Sequence, residues 1–195
     1  MSVEKHPLLI ELQAKHDFPE NDFPKLLSFF EERRFKKDEM IFKSGDVVKE
    51  TYFIMKGCLR QYYISPEGTE RVIYFMQEGN FCGELNSFLH EIPTNLNMQA
   101  LEDMVVLYIT RKNWITAMTT IPDFTMYYLK NHQRIFVKLK EELGKAVNES
   151  PDEKYRRLLK ESSELLQRLP QYQIAAYLGI TPETLSRVRK RNTHI

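Results

Sequence analysis

The chain has 195 residues, 42% hydrophobic and 28% charged, with a formal net charge of +1. That length can bury one large core or two small ones without cross-links, and the composition excludes collagen-like, low-complexity and disordered classes. No apolar run approaches the roughly 20 residues of a membrane helix, so no membrane partner is expected. The polar Met1–Lys5 start leads into no signal core. Two cysteines, Cys58 and Cys82, are too few for a disulfide framework, and a reducing cytoplasm is the expected location. Charge is unevenly spread: from Ser150 onward nine Lys/Arg stand against five Asp/Glu. The basic end carries Arg187, Arg189, Lys190 and Arg191, a bias that suits nucleic acid or a solvated helix face.

From His6 to about Phe35 the pattern predicts helix. Leu8, Leu9 and Leu12, then Leu26, Leu27, Phe29 and Phe30, recur at helical spacing, broken at Pro19 and Pro24. From Phe35 to Thr110 short runs of Ile, Val, Phe and Tyr alternate with turn residues. Six strands are predicted: Met40–Phe42, Tyr52–Lys56, Cys58–Ile64, Glu70–Met76, Asn97–Ala100 and Val105–Ile109. Pro66-Glu67-Gly68 should close a hairpin. Strands at such spacing suggest a sandwich or a closed roll.

After Thr110 the pattern is helical again. A proline-free segment from Pro122 to about Val147 places Leu129, His132, Phe136, Leu139, Leu143 and Ala146 at alternating steps of three and four. Such spacing marks a two-helix seam, here between two copies of the chain. Packing of the same face on the chain's own strands is the plainer alternative. For His132 a half-buried polar role in the seam is favoured over a ligand or switch. Asn148-Glu149-Ser150-Pro151 marks a boundary, because proline disfavours helix at Ser150. The expected division is 1–121, 122–148 and 149–195. Asp152–Leu169 is the next amphipathic helix, with Tyr155, Leu158, Leu159, Ser162, Leu165, Leu166 and Leu169 on one face.

Gln171–Arg191 reads QYQIAAYLGITPETLSRVRKR. A first helix, Gln171–Leu178, would bury Ile174, Ala175 and Leu178. Gly179 sits where the chain must turn with positive φ. Thr181 can cap a second helix, Pro182 suits its first turn, and Leu185 and Val188 can bury it against the first. These demands define a helix-turn-helix. The outward face carries Thr181, Glu183, Thr184, Ser186, Arg187 and Lys190, which suits a major groove. Arg189, Arg191 and part of Lys190 are better placed for phosphates.

Thr181-Pro182-Glu183-Thr184-Leu185-Ser186-Arg187-Val188 resembles the recognition helix of the CRP/FNR family of bacterial regulators. Ser44-Gly45-Asp46 with Tyr52-Phe53-Ile54-Met55-Lys56-Gly57 resembles the family's early glycine pair. Gly79-Asn80-Phe81-Cys82-Gly83-Glu84-Leu85 resembles the start of its phosphate-binding cassette. The resemblance implies an α+β chain: a double-stranded β-roll of the cyclic-nucleotide-binding type with flanking helices, a long central dimerisation helix, and an all-α helix-turn-helix domain. Arg191 lies four residues from Ile195, so a full β-hairpin wing is not expected. The resemblance also implies a homodimer on a double-stranded DNA operator, with RNA polymerase as a further partner, and assigns base reading to Glu183 and Arg187. For a small effector it points to Gly83, Glu84, Leu85, Thr94 and Asn95. Relatives that bind cyclic AMP hold its phosphate with an arginine; here Leu85 to Leu101 contains none. An altered small ligand, or none, is expected in place of the usual cyclic nucleotide. Glu84 has a second reading, as the N-terminal cap of a short helix Leu85–Leu89. Two cysteines cannot ligate an iron–sulfur cluster, and no cofactor or metal is expected.

Two other readings stay open. One is a signalling or scaffold module whose helix-turn-helix has become a protein contact. The other is a cupin-type enzyme, for which the strand region offers only His90 beside Glu91.

Overall fold

A computed structural model of the chain describes residues 6–146 and 149–192. Eight antiparallel strands form two four-stranded sheets. The strands are β1 (Glu31–Phe35), β2 (Met40–Phe42), β3 (Glu50–Lys56), β4 (Cys58–Ile64), β5 (Glu70–Gln77), β6 (Phe81–Cys82), β7 (Asn97–Ala100) and β8 (Met104–Thr110). One sheet has the order β1-β8-β3-β6 and the other β2-β7-β4-β5. Between the sheets lie Phe42, Tyr52, Ile54, Leu59, Met98 and Val106. Gly57 joins β3 to β4 with φ +98°, and a Cβ there would meet the backbone of Asp103 and Met104 at 3.0 Å. Ser65 and Gly68 close the β4–β5 hairpin with a 2.9 Å bond, as Pro66-Glu67-Gly68 predicted.

Both sheets are covered on their outer faces as well. Helices α1 (Pro7–Lys15), α2 (Phe23–Leu27), α4 (Arg111–Thr120) and the first turns of α5 (Pro122–Ala146) pack on the first sheet through Leu8, Leu12, Leu26, Phe124 and Tyr127. There they meet Phe53, Leu107 and Ile109. The second sheet carries α6 (Pro151–Arg168), α7 (Gln171–Leu178) and α8 (Pro182–Asn192), with Cys58 and Leu101 joined to Tyr155, Leu165, Ile174 and Leu178. Two buried faces explain why Tyr52-Phe53-Ile54-Met55 is continuously apolar rather than alternating.

The expectation of helix up to Phe35 is corrected: residues 31–35 form β1. This strand edges the first sheet, pairing with β8 from Glu31↔Tyr108 to Phe35↔Met104. Its charged residues are good helix formers, yet they protect an exposed sheet edge. Arg33 binds both oxygens of Glu50 and lies 3.9 Å over the Tyr108 ring. The strand count rises from six to eight, since β6 is only two residues long and pairs with Tyr52 and Phe53. The sixth helix is capped by a reciprocal Ser150–Glu153 box and is broken at Ser162, whose φ and ψ are −148° and 40°. Among the described residues, no helix is long and apolar enough to cross a membrane.

Candidate nucleic-acid interface and ligand cavity

The turn between α7 and α8 has the geometry its residues demand. Gly179 adopts φ +70°, and its N–H caps α7 on the carbonyl of Ala175. The Thr181 hydroxyl accepts from the Thr184 N–H at 3.2 Å. Leu185 and Val188 are fully buried and fix the rotation of α8 about its axis. That rotation leaves Thr181, Glu183, Ser186, Arg187, Arg189 and Lys190 exposed, with Thr184 half-buried. Hydrogen bonds from its own N–H and from Thr181 hold the exposed Glu183 carboxyl below its ordinary range, and Arg187, one helical turn on, adds a smaller attraction. Arg191 is engaged elsewhere: it grips both oxygens of Asp152 on α6, at 2.9 and 2.7 Å. The pair ties the last turn of α8 to the first turn of α6.

The seam residues of α5 face outward. Leu129, Phe136, Leu139 and Leu143 are 49%, 64%, 42% and 61% exposed. His132 is half-buried; its Nδ1 lies 2.9 Å from the Tyr128 carbonyl, and its ring packs against the Tyr128 ring. Ala146 ends the helix, and its side chain lies outside the described residues.

At the start of α3 (Leu85–His90), Glu84 turns its carboxylate onto its own helix. Its oxygens accept from the N–H groups of Asn86 at 3.0 Å and Ser87 at 2.7 Å. The capping reading of Glu84 therefore describes its contacts. Beside this turn, between the first sheet and α5, is a cavity of about 180 Å³. Its walls are Phe81, Phe88, Trp114, Phe124, Tyr127 and Tyr128, with Gly83, Glu84 and Leu85 at one side and Asn131, His132 and Ile135 at the other. The sequence-predicted Gly83, Glu84 and Leu85 are thus brought together. Thr94 and Asn95 lie outside the lining. Thr94 is buried, and its hydroxyl accepts from the Leu96 N–H at 3.1 Å, while Asn95 is exposed.

Comparison with known proteins accounts for this layout. Residues 32–120 match the family model of the cyclic nucleotide-binding domain. That stretch runs from β1 through β8 to α4, so the sheets are the part that is similar to the family. The whole fold is similar to the catabolite activator protein of Thermus thermophilus, with a TM-score of 0.61 and 22% identity over 94% of this chain and 87% of that one. It is also similar to the c-di-GMP-responsive global regulator CLP of Xanthomonas campestris, with a TM-score of 0.71 and 16% identity over 90% of this chain and 92% of that one. FixK2 of Bradyrhizobium japonicum gives a TM-score of 0.68 at 18% identity, covering 83% of each chain. A search of curated protein sequences finds no match.

The residues at the turn before α3 do not fit a cyclic phosphate. Neither Lys nor Arg lines the cavity, and Glu84 already occupies the N–H groups of α3 that could have received an anion. Cys82 is fully buried and its thiol is pushed up by desolvation, which makes it a packing residue rather than a reactive one. Among the described residues, no three His, Cys, Asp or Glu side chains are grouped to hold a metal. The sequence reading missed Asn131, Trp114 and Tyr128 as cavity residues. The available signal was Asn131 beside His132, a polar pair in an otherwise apolar face of α5.

Proposed function

We propose that the chain is a homodimeric, DNA-binding transcription regulator of the CRP/FNR type. Residues 1–121 form its sensor domain, 122–148 its dimerisation helix, and 149–195 its DNA-binding domain. The observation that carries this reading is the face of α8: Glu183, Ser186, Arg187 and Lys190 all point away from the core that Leu185 and Val188 anchor. Arg187 suits guanine O6 and N7, and Glu183 suits cytosine N4. Lys190 and Arg189 lie toward flanking phosphates, whereas Arg191 must first leave Asp152 to join them. The exposed stripe from Leu129 to Leu143 supports pairing of two α5 helices. Such a pair would offer two recognition helices to half-sites about 34 Å apart. Occupancy of the sensor would act by shifting the population between arrangements of α5 and the helix-turn-helix. Nothing in this reading calls for catalysis.

Selection from a palindromic duplex library followed by gel shift tests it. A salt-dependent complex is expected, and Arg187→Ala should abolish specific binding while the protein stays dimeric. Normal operator binding by that variant would remove Arg187 from the interface. Failure of the wild type to bind any duplex would favour the scaffold reading.

A further inference from the structure

The cavity beside α5 holds a polar group with nothing to bind. Asn131 is only 7% exposed and lines the cavity, and among the described residues its side chain is not bonded to a neighbour. Its amide keeps access to the cavity space, so a guest seated there could use both its donor and its acceptor. Beside it, the His132 Nδ1 is committed to the Tyr128 carbonyl, which leaves Nε2 of the neutral ring as an acceptor. Opposite stand aromatic walls: Trp114 meets Phe88 edge-on at 5.6 Å and Tyr128 at 5.3 Å.

We infer that this cavity is a binding site for a small, uncharged aromatic compound carrying one amide-like group. Size sets the first limit. A cavity of about 180 Å³ is slightly larger than the roughly 150 Å³ that admits benzene, so it takes one ring with a small substituent. Charge sets the second. An anion would enter beside Glu84 with no Lys or Arg on the lining, stripped of water and uncompensated. A cation would find the Glu84 carboxylate already held by two N–H groups of α3. The Asn131 amide both donates and accepts, so its best complement is another amide. Leu85 and Ile135, 44% and 52% exposed, frame the mouth. The inference deepens the effector-domain reading and depends on it only for what binding would do to DNA affinity.

Trp114 is the chain's single tryptophan and lines the cavity, so its fluorescence reports occupancy in the full-length protein without DNA. Benzamide, benzamidine, benzoate and toluene form a near-isosteric series of amide, cation, anion and apolar probes. Benzamide should bind saturably and at least tenfold more tightly than each of the others. Asn131→Leu should lose that preference and bind toluene as well as or better than the wild type. If this variant binds neither probe, the order among the four in the wild type decides alone. No saturable change with benzamide, tighter binding of either charged probe, or unchanged benzamide binding by Asn131→Leu would overturn the site. Gel shifts of the same preparation read DNA binding separately, so a failed titration leaves the regulator reading intact, and a failed gel shift leaves the cavity.

Discussion

Arg60 on β4 donates through Nη1 to Oε1 of Gln173 on α7, at 3.0 Å, across 113 residues of chain. Both side chains are buried, Arg60 to 6% exposure and Gln173 to 1%. Arg60 also holds Glu70 at 2.5 Å and Gln99 at 2.9 Å, and stacks over the Tyr62 ring. Beside it the contact is apolar, with the Phe75 and Tyr177 rings 5.5 Å apart. Arg168 adds ion pairs to Glu78 and Glu102. The helix-turn-helix is therefore docked on the outer face of the β4–β5 hairpin by a mixed polar and apolar contact.

Gln173→Leu removes an acceptor from a buried guanidinium that keeps its other partners. The expected cost is roughly 1–2 kcal/mol in urea unfolding. Arg60→Met should cost more, about 2–3 kcal/mol, because it leaves the Gln173 side-chain carbonyl unpaired in the interior, while half-buried Gln99 keeps its bond to the Asp38 carbonyl. Glu70 softens the loss, since it is 44% exposed. Equal stability of both variants and the wild type would show that the dock contributes nothing.

Phe136 is 64% exposed on α5, so it has little to hold within its own chain. If α5 pairs with a second copy, Phe136→Glu should raise the dimer dissociation constant about thirtyfold or more, the effect of losing a hot-spot side chain worth 2 kcal/mol. Sedimentation measures it, with the unfolding midpoint of the monomer as the control. A monomeric wild type would refute the seam.

Gly179→Ala places a side chain at φ +70°, where its Cβ would also lie 3.4 Å from Nη1 of Arg71. The left-handed conformation costs an alanine roughly 1–2 kcal/mol. Denaturation should show that loss. Specific DNA affinity should fall in the same variant, because the turn sets the angle between α7 and α8.

Acid should loosen the dock. Burial alone would raise the Glu78 carboxyl, but hydrogen bonds from Arg168 and from the Gly57 N–H outweigh it, and the group lies below its ordinary value of 4.5. A carboxyl depressed in the folded state releases its proton more readily there than in the unfolded chain. Its stabilisation is complete above pH 4.5 and fades as pH falls through the folded-state value. The stability difference between wild type and Glu78→Gln should therefore shrink below pH 4.5. A difference that stays constant down to pH 3 would mean that the ion pair does not drive it.

Much of the local structure could be read directly from residue order. The strands Cys58–Ile64 and Asn97–Ala100 and the helix Gln171–Leu178 fall where periodicity and flanking turn residues placed them. The turn at Gly179 and the cap at Thr181 were equally legible. Each depends on neighbours within a few positions: a glycine that must adopt positive φ, a hydroxyl that reaches the N–H three residues on, an apolar repeat of fixed period. Those local rules also made the exposed charged face of α8 readable, since a helix with Leu185 and Val188 buried leaves only one side for Arg187.

Partners distant along the chain decided the rest. Glu31-Glu32-Arg33-Arg34-Phe35 favours a helix by propensity, and becomes a strand only because β8 offers its free edge. Residue order alone could not divide the apolar residues of β3 and β4 between an inner core and two outer ones. Nor could it bring Arg60 to Gln173, or close a wall of aromatic rings around Asn131. Pairing and packing energies act between surfaces that meet only after the chain has folded, and no repeat in the sequence encodes which surfaces those are.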